Sequence, residues 1–160
     1  MPTDFLTLLH RDHHDLERGL DDLLSADSFE EIRSALDGVR LGLTAHAEAE
    51  DIVLYHAITR ANIDRTLAAL VDTEHAAHAA QEHALTSLVG ATPRSAPWRD
   101  AAYHLRDLVH EHARREETLI LPALRDVMPK VYEALAGEFA TERLRQLAML
   151  QPSGRFLAAS

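Results

Sequence analysis

The chain has 160 residues, 46% of them hydrophobic and 26% charged, with six glycines and six prolines, which is the size of one domain and the composition of a helix-rich globular protein. A formal charge of −10 without a Lys/Arg run argues against nucleic acid or an anionic membrane as partner, because both are held mainly by clustered cations. With no cysteine, disulfides, thiolate zinc sites, iron–sulfur clusters and cysteine nucleophiles are excluded.

Five helical segments are predicted, making an all-α protein. From about Thr3 to Ala26, Leu6, Leu9, His13, Leu16, Leu20 and Leu23 recur at spacings of three and four, one stripe of a helix. A second helix is predicted from Ser28, which stands in capping-box spacing to Glu31, to about Arg60. Its stripe is Ile32, Leu36, Val39, Leu43, His46, Glu50, Val53 and Ala57. The third, from near Asn62 to just before Gly90, is the least regular, with Val71, His78, Leu85 and Leu88 inward. Residues 90–97 include Gly90, Pro93 and Pro97 and form the connecting loop. The fourth helix repeats the second step for step: Trp98, Ala102, Leu105, Val109, His112, Glu116, Leu119 and Ala123. Pro122 should kink or end it. A fifth helix, about Lys130 to Leu150, follows Pro129, and the tail from Gln151 to Ser160 has no strong pattern. Residues 1–128 are thus expected to form an antiparallel up-down four-helix bundle, and 129–160 a C-terminal helix and tail packed on the same domain.

Eleven histidines stand out. His46 and Glu50, four apart, share one helix face, as do His112 and Glu116, and all four interrupt otherwise apolar stripes. At about 1.5 Å rise per residue, His13 and His46 lie at similar distances from their hairpin turn, and His78 and His112 do the same in the second hairpin. Six side chains, His13, His46, Glu50, His78, His112 and Glu116, therefore converge on one layer. Two carboxylates in a helical core are costly to desolvate and repel each other, whereas two metal ions neutralise both. Imidazole with carboxylate suits iron, manganese or zinc, and two shared carboxylates suit a dinuclear site better than one tetrahedral zinc.

The pattern His, His-x-x-x-Glu, His, His-x-x-x-Glu over four helices resembles that of hemerythrins and the bacterial hemerythrin-like (HHE cation-binding) proteins, over about residues 4 to 126. The resemblance implies two non-haem irons, oxo- or hydroxo-bridged, with Glu50 and Glu116 bridging them and manganese or zinc the less suited alternatives. It also implies binding of, or reaction with, dioxygen or a related small molecule such as peroxide or nitric oxide. The match assigns Asp12 and His13 to the family's Asp-His pair. It departs on the third helix, where His75 and His78 are three residues apart rather than four. His75 is either a fifth ligand or a substitute for His78, and His10 stands in the same relation to His13. The ferritin-like di-iron class needs Glu-x-x-His, which the chain lacks.

His14, His83, His104 and His110 fall off the stripes and are expected at the surface. Glu117 and Asp51 are expected to support the ligands or carry surface charge, and Tyr55 to pack or to donate a proton. Three functions compete: reversible small-molecule binding, an enzyme consuming peroxide or nitric oxide, and an iron-holding or structural metal site without chemistry of its own. The segment from Met1 to Asp4 has no basic-then-apolar signal and no stretch approaches the roughly 18 apolar residues of a membrane span, so the cytoplasm is the expected compartment.

Overall fold

Asp4 begins the first helix, α1 (Phe5–Ser25), by accepting a hydrogen bond from the Thr7 amide, the usual service of an N-terminal Asp. The computed structural model describes residues 3–151, so the tail beyond Gln151 lies outside the described residues. α2 (Phe29–Ala49) starts with the expected capping box of Ser28 and Glu31. It passes without a break through a π-helical turn (Glu50–Tyr55) into α3 (His56–Ala61), where Asn62 at φ 48° ends it. Asn is among the few side chains that enter this left-handed region readily. The next helix, α4 (Arg65–Gly90), is capped by Asp64, three residues later than the Asn62 start predicted above. Ser95 caps α5 (Ala96–Arg115), with Pro97 in its first turn, where a missing amide hydrogen costs little. A second π-helical turn (Glu116–Ile120) leads into α6 (Leu121–Val127), and α7 (Pro129–Leu150) follows.

Four rods make the bundle: α1, α2 with α3, α4, and α5 with α6. α1 packs against α2 and α5, and α5 against α4, while α2 and α4 meet only loosely; α7 lies along α2. Among the described residues no helix is long and apolar enough to cross a membrane.

The π turns correct the predicted stripes. Each inserts about one extra residue into its turn, so the inward phase advances by one after Glu50 and after Glu116. Leu119, predicted inward, is 47% exposed, while Ile120 and Leu124 are fully buried. In the second rod Leu54 and Ile58 are likewise buried more deeply than the predicted Val53, which is 9% exposed, and Ala57, which is half-buried. Pro122 does not end its helix. It sits in the first turn of α6, directly after the π turn.

The core is two apolar layers. One, at the hairpin end, gathers Leu16, Leu20, Leu23, Val39, Leu88 and Trp98. The other gathers Phe5, Leu9, Leu54, Ile120 and Leu124, and α7 adds Tyr132, Leu135 and Phe139 to it. Between them lies a layer that is not apolar.

Candidate metal centre

That middle layer holds His13, His46, His78, His112, Glu50 and Glu116, none more than 9% exposed. His13, His46, Glu50, His112 and Glu116 bring one donor atom each within 4.8 Å of one another. His78 joins them with its Nε2 3.1 Å from Glu50 Oε2. Glu50 divides the layer into halves: Oε1 faces His46 at 2.8 Å and His13 at 3.6 Å, Oε2 faces His78 at 3.1 Å and His112 at 3.2 Å. Glu116 Oε2 reaches across both, 3.2 Å from His13 and 3.6 Å from His112, while its Oε1 accepts the buried Tyr55 hydroxyl. Tyr55, expected to pack or to donate a proton, is buried and donates a hydrogen bond to Glu116.

Every imidazole is held from behind through Nδ1. Glu117 holds His13 at 2.8 Å, Asp12 holds His46 at 2.7 Å, Asp51 holds His78 at 3.2 Å and Glu74 holds His112 at 2.5 Å. A carboxylate there draws the Nδ1 hydrogen outward and turns the Nε2 lone pair inward, as outer partners of metal-bound histidines do. Two of the four carboxylates are clamped by arginine: Arg143 of α7 binds Asp12 at 2.6 Å and Arg115 binds Glu74 at 2.6 Å. The other two meet the outer histidines, His10 on Glu117 at 2.9 Å and His75 on Asp51 at 3.1 Å. His10 and His75 are thus at the rim, with side chains 64% and 49% exposed, and not in the inner layer. His14, His83, His104 and His110 are exposed as expected.

Glu74 and Gln81, both buried, escaped the sequence reading. The signal was available: Leu67, Val71, Glu74, His78, Gln81, Leu85 and Leu88 follow the same alternation of four and three that marks the second and fourth helices. Polar residues at three of its positions made the third helix look irregular.

The electrostatics of the layer call for positive charge. Among the described residues, six carboxylates, Asp12, Glu50, Asp51, Glu74, Glu116 and Glu117, face only Arg115 and Arg143 as fixed cations. Burial alone would favour neutral imidazoles, yet Asp51 and Glu50 push His78 up to about 10, and Glu116 and Glu50 push His112 up to about 9. His13 is raised well above its ordinary range by Glu116, Glu117 and Glu50 against the same burial. Glu50, which burial would protonate, is held well below the usual carboxylate range by His46 and His112.

Even so, four inward atoms, His13 Nε2, His46 Nε2, Glu50 Oε1 and Glu116 Oε2, are buried without a well-aligned hydrogen-bond partner among the described residues. Orphaned polar atoms cost roughly 1–3 kcal/mol each, and all four belong to good metal donors. The residues present fit a metal.

The family model of the hemerythrin HHE cation-binding domain matches residues 4–124. The chain belongs to this family. As a hemerythrin HHE domain it is a cation-binding bundle, and the buried His/Glu layer is where its fold offers a cation a place. The chain is also 25% identical over 150 residues to a DNA nickase of Nostoc sp. (strain PCC 7120 / SAG 25.82 / UTEX 2576), covering 92% of this chain and 42% of that protein's length. No solved structure matches the chain.

Proposed function

We propose that this HHE domain is a non-haem di-iron protein that binds or reacts with dioxygen or a related small molecule, peroxide or nitric oxide. The division of the layer by Glu50 carries the proposal. His13 and His46 would hold one ion, His78 and His112 the other, and Glu50 and Glu116 would be shared. Six carboxylates against two guanidinium groups leave a formal excess of four negative charges when the imidazoles are neutral, which two divalent ions balance. Shared carboxylates with imidazoles favour iron over a single tetrahedral zinc.

When bound, the iron pair would supply the redox chemistry and an open coordination position. The chain's own residues supply the rest. The carboxylates behind the imidazoles fix their orientation, Tyr55 holds one oxygen of Glu116 so that the other faces the two halves, and the apolar layers above and below exclude bulk water. DNA nicking is not carried over from the Nostoc relative, since the chain is strongly acidic and Arg115 and Arg143 are already committed to Glu74 and Asp12.

The test is metal content and visible spectrum of protein from iron-supplemented cells, followed by anaerobic reduction and return to air. About two irons per chain, with charge-transfer bands that change on reduction, are expected from a dinuclear site. Glu50→Ala and Glu116→Ala should each lose iron and any peroxide consumption. A single zinc, no metal, or a spectrum indifferent to every added small molecule would leave a structural or iron-holding site instead.

A further inference from the structure

Two openings lead from the surface toward the histidine layer. One, of about 190 Å3, lies between α1 and α5 at His13; the other, of about 310 Å3, lies between α2 and α4 at His78. The larger groove at the α1–α2 hairpin end, about 760 Å3, includes no histidine and does not reach the layer.

The two openings occupy corresponding places in the repeated hairpins but differ chemically. Three residues after His78 stands Gln81, which lines the α2–α4 cleft, is 2% exposed, and has a buried Nε2 without a hydrogen-bond partner among the described residues. Three residues after His13 the corresponding residue is Leu16, part of the apolar layer. A buried primary amide has two hydrogens to donate, and leaving them unpaired next to an apolar layer is unfavourable. His78 is also the most exposed of the four inner histidines, at 9% against 1–2% for the others. Ala47 and Ala79 on the cleft walls leave space that larger side chains would fill.

We propose that the α2–α4 cleft is the entry and binding pocket for an exogenous small anion or polar diatomic, which accepts a hydrogen bond from Gln81 Nε2 in the half of the layer formed by His78 and His112. The inference rests on the metal reading above and adds to it a side of approach and a hydrogen-bond donor. The loose meeting of α2 and α4 makes this seam the open one.

Azide is the probe, added to the full iron-loaded chain and followed by its charge-transfer band and by its infrared stretch. Gln81→Leu, similar in volume but without a donor, is expected to keep the parent's iron content, weaken azide by about tenfold or more as fits one lost hydrogen bond to an anion, and shift the stretch. Ala79→Trp should slow azide association, while Thr118→Trp at the α1–α5 opening should not. Unchanged azide affinity and stretch in Gln81→Leu, or slowing by Thr118→Trp in place of Ala79→Trp, overturns the inference. Iron content measured on each sample separates the two levels: a parent chain that takes up no iron defeats the metal reading and this inference together, and a loaded parent with an indifferent Gln81→Leu variant defeats this inference alone.

Discussion

Four histidines in the middle of this bundle share one arrangement, a carboxylate on Nδ1 and the shared Glu50 and Glu116 carboxylates facing Nε2. The partners behind them are unequal. Glu74 accepts from His112 and is itself held by two nitrogens of Arg115, at 2.6 and 3.3 Å, so the carboxylate is fixed at both ends. Replacing it by Gln keeps the volume but removes the charge and offers His112 an amide that can flip, so the imidazole loses its enforced tautomer. Such outer partners are typically worth about 10–100-fold in metal affinity. Glu74→Gln is therefore expected to weaken one ion by that order and leave the other in place, giving close to one iron per chain under chelator competition. Retention of two equally tight irons would show that Glu74 is only a structural ion pair. The inner six residues were legible in the sequence because two His-x-x-x-Glu pairs stood in phase with apolar stripes. Their partners were less so. Asp12, Asp51 and Glu117 are neighbours in sequence of inner residues but support histidines on other helices, a relation that appears only when the helices are packed.

At the scale of the element, the π-helical turns decide what faces the core. Both begin at the glutamate of a His-x-x-x-Glu pair. One is followed by Pro122 and the other has His56 at the matching place, so proline is not what creates the wide turn. A periodicity of 3.6 carried through Glu116 puts Leu119 inside; the extra residue puts Ile120 there. The two side chains give a direct test. Ile120→Ala is expected to cost about 2–5 kcal/mol, as large-to-small changes in packed cores do, and Leu119→Ala at most about 0.5 kcal/mol, as surface changes do. Chemical denaturation of the two variants measures both, and equal costs would mean that the helix runs on in α-helical phase. Helix number, order and most boundaries followed from stripes and caps, such as Ser28 with Glu31. The π turns did not, because nothing in the residues of either turn distinguishes it from an ordinary α-helical one. α7 was legible as a helix, but not the reach of its Arg143 to Asp12.

For the whole molecule, the central question is what balances the acidic layer. In the metal-free chain the balance falls to protons on histidine, since His78 and His112 are pushed up to about 10 and about 9, and His13 is raised well above its ordinary range. An unfolded histidine titrates near 6.5. The folded state therefore binds protons more tightly, and the stability this contributes is fully present below pH about 6.5 and is lost as pH rises through about 9 to 10. Glu50, lowered in the folded chain, contributes in the opposite sense: its share is present above the ordinary carboxylate range and is lost as pH falls through its depressed folded value. The metal-free protein should thus be most stable near pH 5 to 7, with a melting temperature that declines toward pH 10. Metal takes the protons' place on the imidazoles, so the loaded protein should lack that alkaline decline, and the gap between the two forms should widen steadily above pH 6.5. Binding at pH 7.5 should also release protons, about two or more per chain filled, because protonated histidines cannot be ligands. Calorimetric titration in two buffers of different ionisation enthalpy counts them. Release near zero, with parallel melting curves for both forms from pH 6.5 to 10, would mean that the imidazoles are already neutral without metal and that the carboxylates are balanced in some other way.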